Sequence, residues 1–126
     1  MPRERPTGDD VVHAADMLRF AREVGEFVRG KTWDDYQASV ALRRMVERSV
    51  ELIGEAARRV SHEFEAAHPE IPWNRIIVQR HRIAHEYDTL DDSIIWSVAT
   101  KYVPLLIEQI EPILPPMPPD PDEPAP

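Results

Sequence analysis

The chain has 126 residues, 42% of them hydrophobic and 30% charged, which is enough for one compact domain with a core and little more. It carries no cysteine, so disulfide frameworks, thiolate zinc sites and cysteine nucleophiles are excluded and a reducing cytoplasm is expected. A net charge of −8 argues against coating nucleic acid through overall charge, and the absence of any long apolar run or apolar signal core predicts a soluble protein with no membrane partner.

Helical periodicity runs through the body and no period-2 strand is evident. The first helix is predicted over about Asp9 to Arg29, with Thr7 and Asp10 in capping-box spacing and Gly30 as its stop. The second is predicted as one long central helix from Asp34/Asp35 to Ala67, because its apolar and small positions cover a wide arc. Pro69 to Pro72 breaks it, and Pro72 suits the first turn of a third helix over Trp73 to about Glu86. A fourth begins near Asp91, with Thr89 and Asp92 in capping-box spacing, and runs to Ile113; Pro104 inside it predicts a kink or a break. The fold class is therefore all-α, an antiparallel bundle of four to five helices over residues 1–114. Residues 115–126 hold seven of the 13 prolines together with Asp120, Asp122 and Glu123, and form an acidic tail expected to be disordered.

Positive charge is concentrated in the third helix, where Arg75, Arg80, His81, Arg82 and His85 lie close together. The pattern Arg80-x4-His85-x-Tyr87 suits phosphodiester chemistry: a guanidinium pairs with phosphate, an imidazole moves protons near neutral pH, and a phenol stands beside them. Five positions apart on a helix, Arg80 and His85 are separated by about 140° around the axis. They share a site if the Arg side chain reaches round, or if a second copy of the helix completes it in a symmetric dimer. The three-residue pattern has low specificity by itself.

Four motifs in order raise it: Ile53-Gly54-Glu55-Ala56-Ala57, Pro69-Glu70-Ile71-Pro72-Trp73, Arg80-His81-Arg82-Ile83-Ala84-His85-Glu86-Tyr87 and Val103-Pro104-Leu105-Leu106. Together they resemble the HepT-like toxins of the HEPN ribonuclease superfamily. The resemblance implies a helical homodimer and a metal-independent endoribonuclease that needs no cofactor, with Arg80 and His85 catalytic in a cleft built from both protomers. It further implies a type VII toxin–antitoxin system in which an MntA-like minimal nucleotidyltransferase attaches AMP to Tyr87. His81, Arg75, Arg82 and Glu55 are the candidates for contacting RNA or supporting the cleft. His81 stands where the family most often has Asn, and the Pro-rich tail has no counterpart in the family pattern.

The same residues admit other roles. His81 and His85, four apart, have the spacing of a two-His metal site that Glu86 or Asp88 could complete, but no second His/carboxylate pair is evident on another helix, so no metal is expected. Gly54, Ala56 and Ala57 suit close helix packing, and Glu51 and Glu55 read as an exposed pair of like charge or, for Glu55, as a support for the cleft. Arg43, Arg44, Arg48, Arg58 and Arg59 either extend an RNA path or form a solvated face balanced by nearby Glu. Trp73 and Trp96 read as core or interface anchors. The competing functions are a non-catalytic HEPN module that partners a nucleotidyltransferase, and a helical dimerisation protein with no RNA role.

Overall fold

The computed structural model describes residues 8–116. The proposed Thr7 cap and the tail from residue 117 onward lie outside the described residues. α1 spans Gly8–Val28, α2 Trp33–Ala38, α3 Val40–Ala57, α4 His62–Ala67, α5 Trp73–His85, α6 Asp92–Ser97 and α7 Val103–Ile110, with no strand among the described residues. α1, α3, α5 and the α6–α7 rod form the bundle, α1 packing on α3 and α7, and α3 on α5. Among the described residues no helix is long and apolar enough to cross a membrane.

The faces that meet are those the 3.6-residue period selects. Ala14, Met17, Ala21 and Val24 of α1 are buried, as are Val46, Val50, Ile53 and Ala57 of α3. They close on Ile83 of α5 and on Ile95, Ala99, Val103, Leu106 and Ile110 of the α6–α7 rod. The chain leaves α1 through Gly30, whose φ of 70° is the left-handed conformation that glycine adopts without steric cost.

The long second helix predicted from Asp34/Asp35 to Ala67 is instead three helices. Ser39 adopts extended backbone between α2 and α3 and its Oγ accepts from the Leu42 N–H, so the break at this position is also the N-cap of α3. The bend lets Tyr36 bury fully against Trp33 and Trp96, with ring centroids 6.1 and 5.1 Å away. Burial, and then the neighbouring Glu47 carboxylate, push the Tyr36 phenol above its ordinary pKa. The second break lies before Ser61, which caps α4 through the Phe64 N–H. The Ser61 N–H and Oγ both donate to the buried Asp10 carboxylate, at 2.7 and 2.8 Å, tying the start of α1 to this corner.

Two further boundaries differ from expectation. Pro72 is the N-cap of α5, not a residue of its first turn. The cap of α6 is Asp91, whose carboxylate accepts from the Ser93 N–H, and not Thr89, whose hydroxyl donates to the Glu86 carbonyl. Asp91 is held below the ordinary carboxylate pKa first by a bond from the Ser93 hydroxyl, at 2.6 Å, and then by that from its N–H. Trp73 is buried with its Nε1–H donating to the His68 carbonyl, and Trp96 lies half-buried in the aromatic cluster, so both serve as packing anchors. Where a kink or a break is predicted at Pro104, the backbone stays helical but irregular: α6 passes into a wide π turn over Val98–Tyr102, and Pro104 follows in the first turn of α7.

Candidate active site

α5 carries the candidate residues, and its amphipathic register decides where each side chain goes. Trp73 and Ile83 are buried on the side packed against the bundle, and Arg80 falls on that same side at 100° per residue. A long cation can sit there because the facing residue of α3 is Gly54. A Cβ on Gly54 would lie 2.2 Å from Arg80 Cβ and 3.0 Å from the Ile76 carbonyl oxygen, far inside contact distance. The small residue in the Ile53-Gly54-Glu55 motif is thus the seat of Arg80.

Glu55, the next residue, fixes the guanidinium. Arg80 Nη2 lies 2.9 Å from Glu55 Oε2, with the Arg80 side chain 21% exposed. The same carboxylate meets Arg59 at 3.3 Å and Arg58 at 3.7 Å, so three guanidinium groups share one carboxylate. Arg80 Nε is buried with no hydrogen-bond partner among the described residues. Glu55 is therefore the half-buried support for Arg80, and not one of an idle pair of like charges with Glu51, which bonds Arg48.

His81 and His85 are both exposed on a different side of α5, one turn apart, with ring centroids 4.5 Å from each other. His85 is the last residue of the helix, where unpaired carbonyls favour a cation. The chain turns immediately afterwards through a 3-10 turn, Tyr87–Thr89, which leaves Tyr87 70% exposed. Among the described residues no group of three or more His, Asp and Glu gathers, so the His81/His85 pair has no third candidate ligand there.

Arg75 and Arg82 are placed elsewhere. They lie two turns apart on a third side of α5, at the rim of an apolar hollow of about 460 Å³ between α3, α5, α6 and α7 that is lined by Val50, Ile53, Ile94 and Leu106. Neither makes an ion pair among the described residues. Arg43, Arg44 and Arg48 are each matched to a carboxylate of their own, Asp92, Glu47 and Glu51. Glu47 is buried, and burial raises its pKa against the lowering effect of Arg44. The structure brings Arg80 and Glu55 together, keeps His81, His85 and Tyr87 at the exposed end of the same helix, and sets Arg75 and Arg82 apart. The role of Gly54 in placing a charge was not legible in sequence beyond the general signal of a small residue at a helix contact, and the sharing of Glu55 with Arg58 and Arg59 gave no signal of its own.

The model of the ribonuclease HepT-like family matches residues 17–113, which include every one of these positions. A relative from Caldanaerobacter subterraneus subsp. tengcongensis, named "Putative RNase", is 36% identical over 86 residues, covering 68% of this chain and 77% of the relative. Another of the same printed description, from Methanocaldococcus jannaschii, is 28% identical over 96 residues, covering 76% and 88%. "Probable ribonuclease HepT" of Thermococcus cleftensis is 27% identical over 103 residues, covering 82% and 88%. No solved structure gives a significant match. With a family model spanning the whole bundle and an α5 that presents the Arg80/His85 pattern on a glycine seat, the chain belongs to the ribonuclease HepT-like family.

Proposed function

We propose that the protein is a metal-independent endoribonuclease in which Arg80 binds the scissile phosphate and His85 moves the protons. The observation that carries this reading is the placement of Arg80, wedged onto Gly54 and held by Glu55 with its side chain still partly exposed, on the helix that ends in the exposed His85. An anchored guanidinium loses little freedom when a phosphate arrives, so it can stabilise the charge that develops during transfer. His85 of one protomer takes the proton from a ribose 2′-OH, the 2′-oxygen attacks phosphorus, and the 5′-oxygen leaves with a proton from His85 of a second protomer. The products are a 2′,3′-cyclic phosphate and a 5′-hydroxyl. Because Arg80 and His85 point to different sides of α5, a homodimer is part of the proposal, and the exposed apolar residues that line the hollow, Val78, Ile94 and Tyr102, suit such a contact.

The chain is then the toxin of a toxin–antitoxin pair, with Tyr87 as AMP acceptor for a minimal nucleotidyltransferase. A 70% exposed phenol two residues beyond His85 is open to modification, and AMP there sets a bulky anion against the cationic end of α5. The test is cleavage of single-stranded RNA in excess EDTA with analysis of the new ends. Cyclic phosphate and 5′-hydroxyl ends at the metal-replete rate are expected; loss of cleavage in EDTA, or 3′-hydroxyl ends, overturns the mechanism. Tyr87→Phe is expected to cleave like the wild type but to accept no AMP from a minimal nucleotidyltransferase that modifies the wild type, and a modified Tyr87→Phe protein would move the acceptor elsewhere.

A further inference from the structure

The arginines along α3 and around its C-terminal end fall into two sets. Arg43, Arg44 and Arg48 are balanced one to one, by Asp92, Glu47 and Glu51, and need no further anion. At the end of the helix the balance fails: among the described residues Arg58, Arg59 and Arg80 converge on Glu55 alone, which leaves two positive charges in excess around one carboxylate. Arg58 and Arg59 are 49% and 60% exposed, so their remaining donors face solvent, while Arg80 lies inward. A compact group of guanidinium donors with too few anions is complementary to a phosphate, which accepts forked bonds from Arg.

We propose that Arg58 and Arg59 form a second phosphate subsite, which takes a phosphodiester of the RNA strand next to the one held by Arg80, with Glu55 as the positioning residue between the two. The inference rests on the ribonuclease reading of Arg80. Glu55 spaces the three guanidinium groups, keeps Arg80 turned toward the subsite and offsets part of their mutual repulsion, so that a strand with two adjacent phosphates meets donors already in place. The order along the chain supports this: Gly54 seats Arg80, Glu55 fixes it, and Arg58 and Arg59 follow one turn later, at the C-cap of α3 and in the turn beyond it.

The test compares Arg58→Ala/Arg59→Ala with Arg48→Ala, an arginine of similar exposure that has its own carboxylate, on two substrates: an RNA oligonucleotide and a dinucleoside monophosphate that holds only the scissile phosphate. For the oligonucleotide the double variant is expected to raise KM roughly tenfold at unchanged kcat. It should also lower the dependence of log KM on log salt by about 0.7, one phosphate's worth for a single strand. Its cleavage of the dinucleoside should stay near wild type, and Arg48→Ala should alter neither substrate. Glu55→Gln is expected to split the parameters the other way, lowering KM because a negative charge has gone and lowering kcat because Arg80 is no longer held. A double variant that behaves like Arg48→Ala, or that affects both substrates equally, overturns the subsite. If the wild type cleaves no RNA, binding of an oligonucleotide lacking the attacking 2′-OH decides instead. Weaker binding by the double variant alone then keeps the subsite and removes the nuclease reading, and equal binding by all variants removes the subsite.

Discussion

Replacing His85 by alanine is expected to slow RNA cleavage by about 10²–10⁴-fold, the loss that removal of a general acid–base imidazole produces. In a symmetric dimer the substitution removes base and acid together, because each cleft draws one His85 from each protomer. The fold should not register the change. His85 is exposed, it ends its helix, and its ring meets only that of His81 among the described residues, so a surface-sized effect within about 0.5 kcal/mol is expected in thermal melting. Loss of activity at an unchanged Tm therefore separates a chemical role from a structural one. His81→Ala is the needed comparison, since the two rings stand 4.5 Å apart and either could serve as the base. Cleavage that survives His85→Ala and fails in His81→Ala would transfer the role to His81. A bell-shaped dependence of kcat on pH in the wild type, reduced to one limb in a mixed dimer that carries His85 on one protomer and alanine on the other, is the expected signature of a paired acid and base.

Gly54→Ala is expected to reverse the usual sign of a glycine substitution. In a helix interior, alanine is favoured over glycine by about 1 kcal/mol when nothing opposes it. Gly25 in α1 is such a place, with no atom within 4 Å of an added Cβ, and Gly25→Ala should raise Tm. At Gly54 the added methyl would fall 2.2 Å from Arg80 Cβ and 3.0 Å from the Ile76 carbonyl oxygen. The backbone of α5 is involved, so a rotamer change cannot relieve the overlap. α3 and α5 must separate, at an overpacking cost of about 1–3 kcal/mol that exceeds the gain in propensity. Tm should fall, and cleavage should fall further than stability accounts for, because Arg80 moves away from Glu55. If Gly54→Ala melts above the wild type with full activity, the seat has no role in placing the guanidinium.

The parts of this fold that local chemistry dictates were legible from sequence: the start of α5 after Pro72, the stop at Gly30, and the helix irregularity before Pro104. The breaks at Ser39 and Ser61 were not, because neither carries a local stop signal strong enough to overrule a continuous helical pattern. The first follows from the burial of Tyr36 between Trp33 and Trp96, and the second from the bonds of Asp10 to Ser61, 51 positions away in sequence. Both are tertiary demands. The site divides in the same way. The Arg80 and His85 pattern lies on one helix and could be read with its angular separation, whereas the bond of Arg80 to Glu55 crosses between helices. The grouping of Arg75 and Arg82 with the histidines followed from nearness in sequence, and the helix turns them to another side.

The π turn at Val98–Tyr102 makes the α6–α7 rod sensitive to length more than to composition. Its buried residues Ile95, Ala99 and Val103 follow each other at intervals of four, a spacing that drifts by about 40° per step on a regular helix. The widened turn, closed by a bond from the Val103 N–H to the Val98 carbonyl, takes up that drift and keeps Leu106 and Ile110 in phase with the face that α1 covers. Gain or loss of a single codon between Val98 and Tyr102 would rotate everything downstream by about 100°, turning the buried face of α7 toward water.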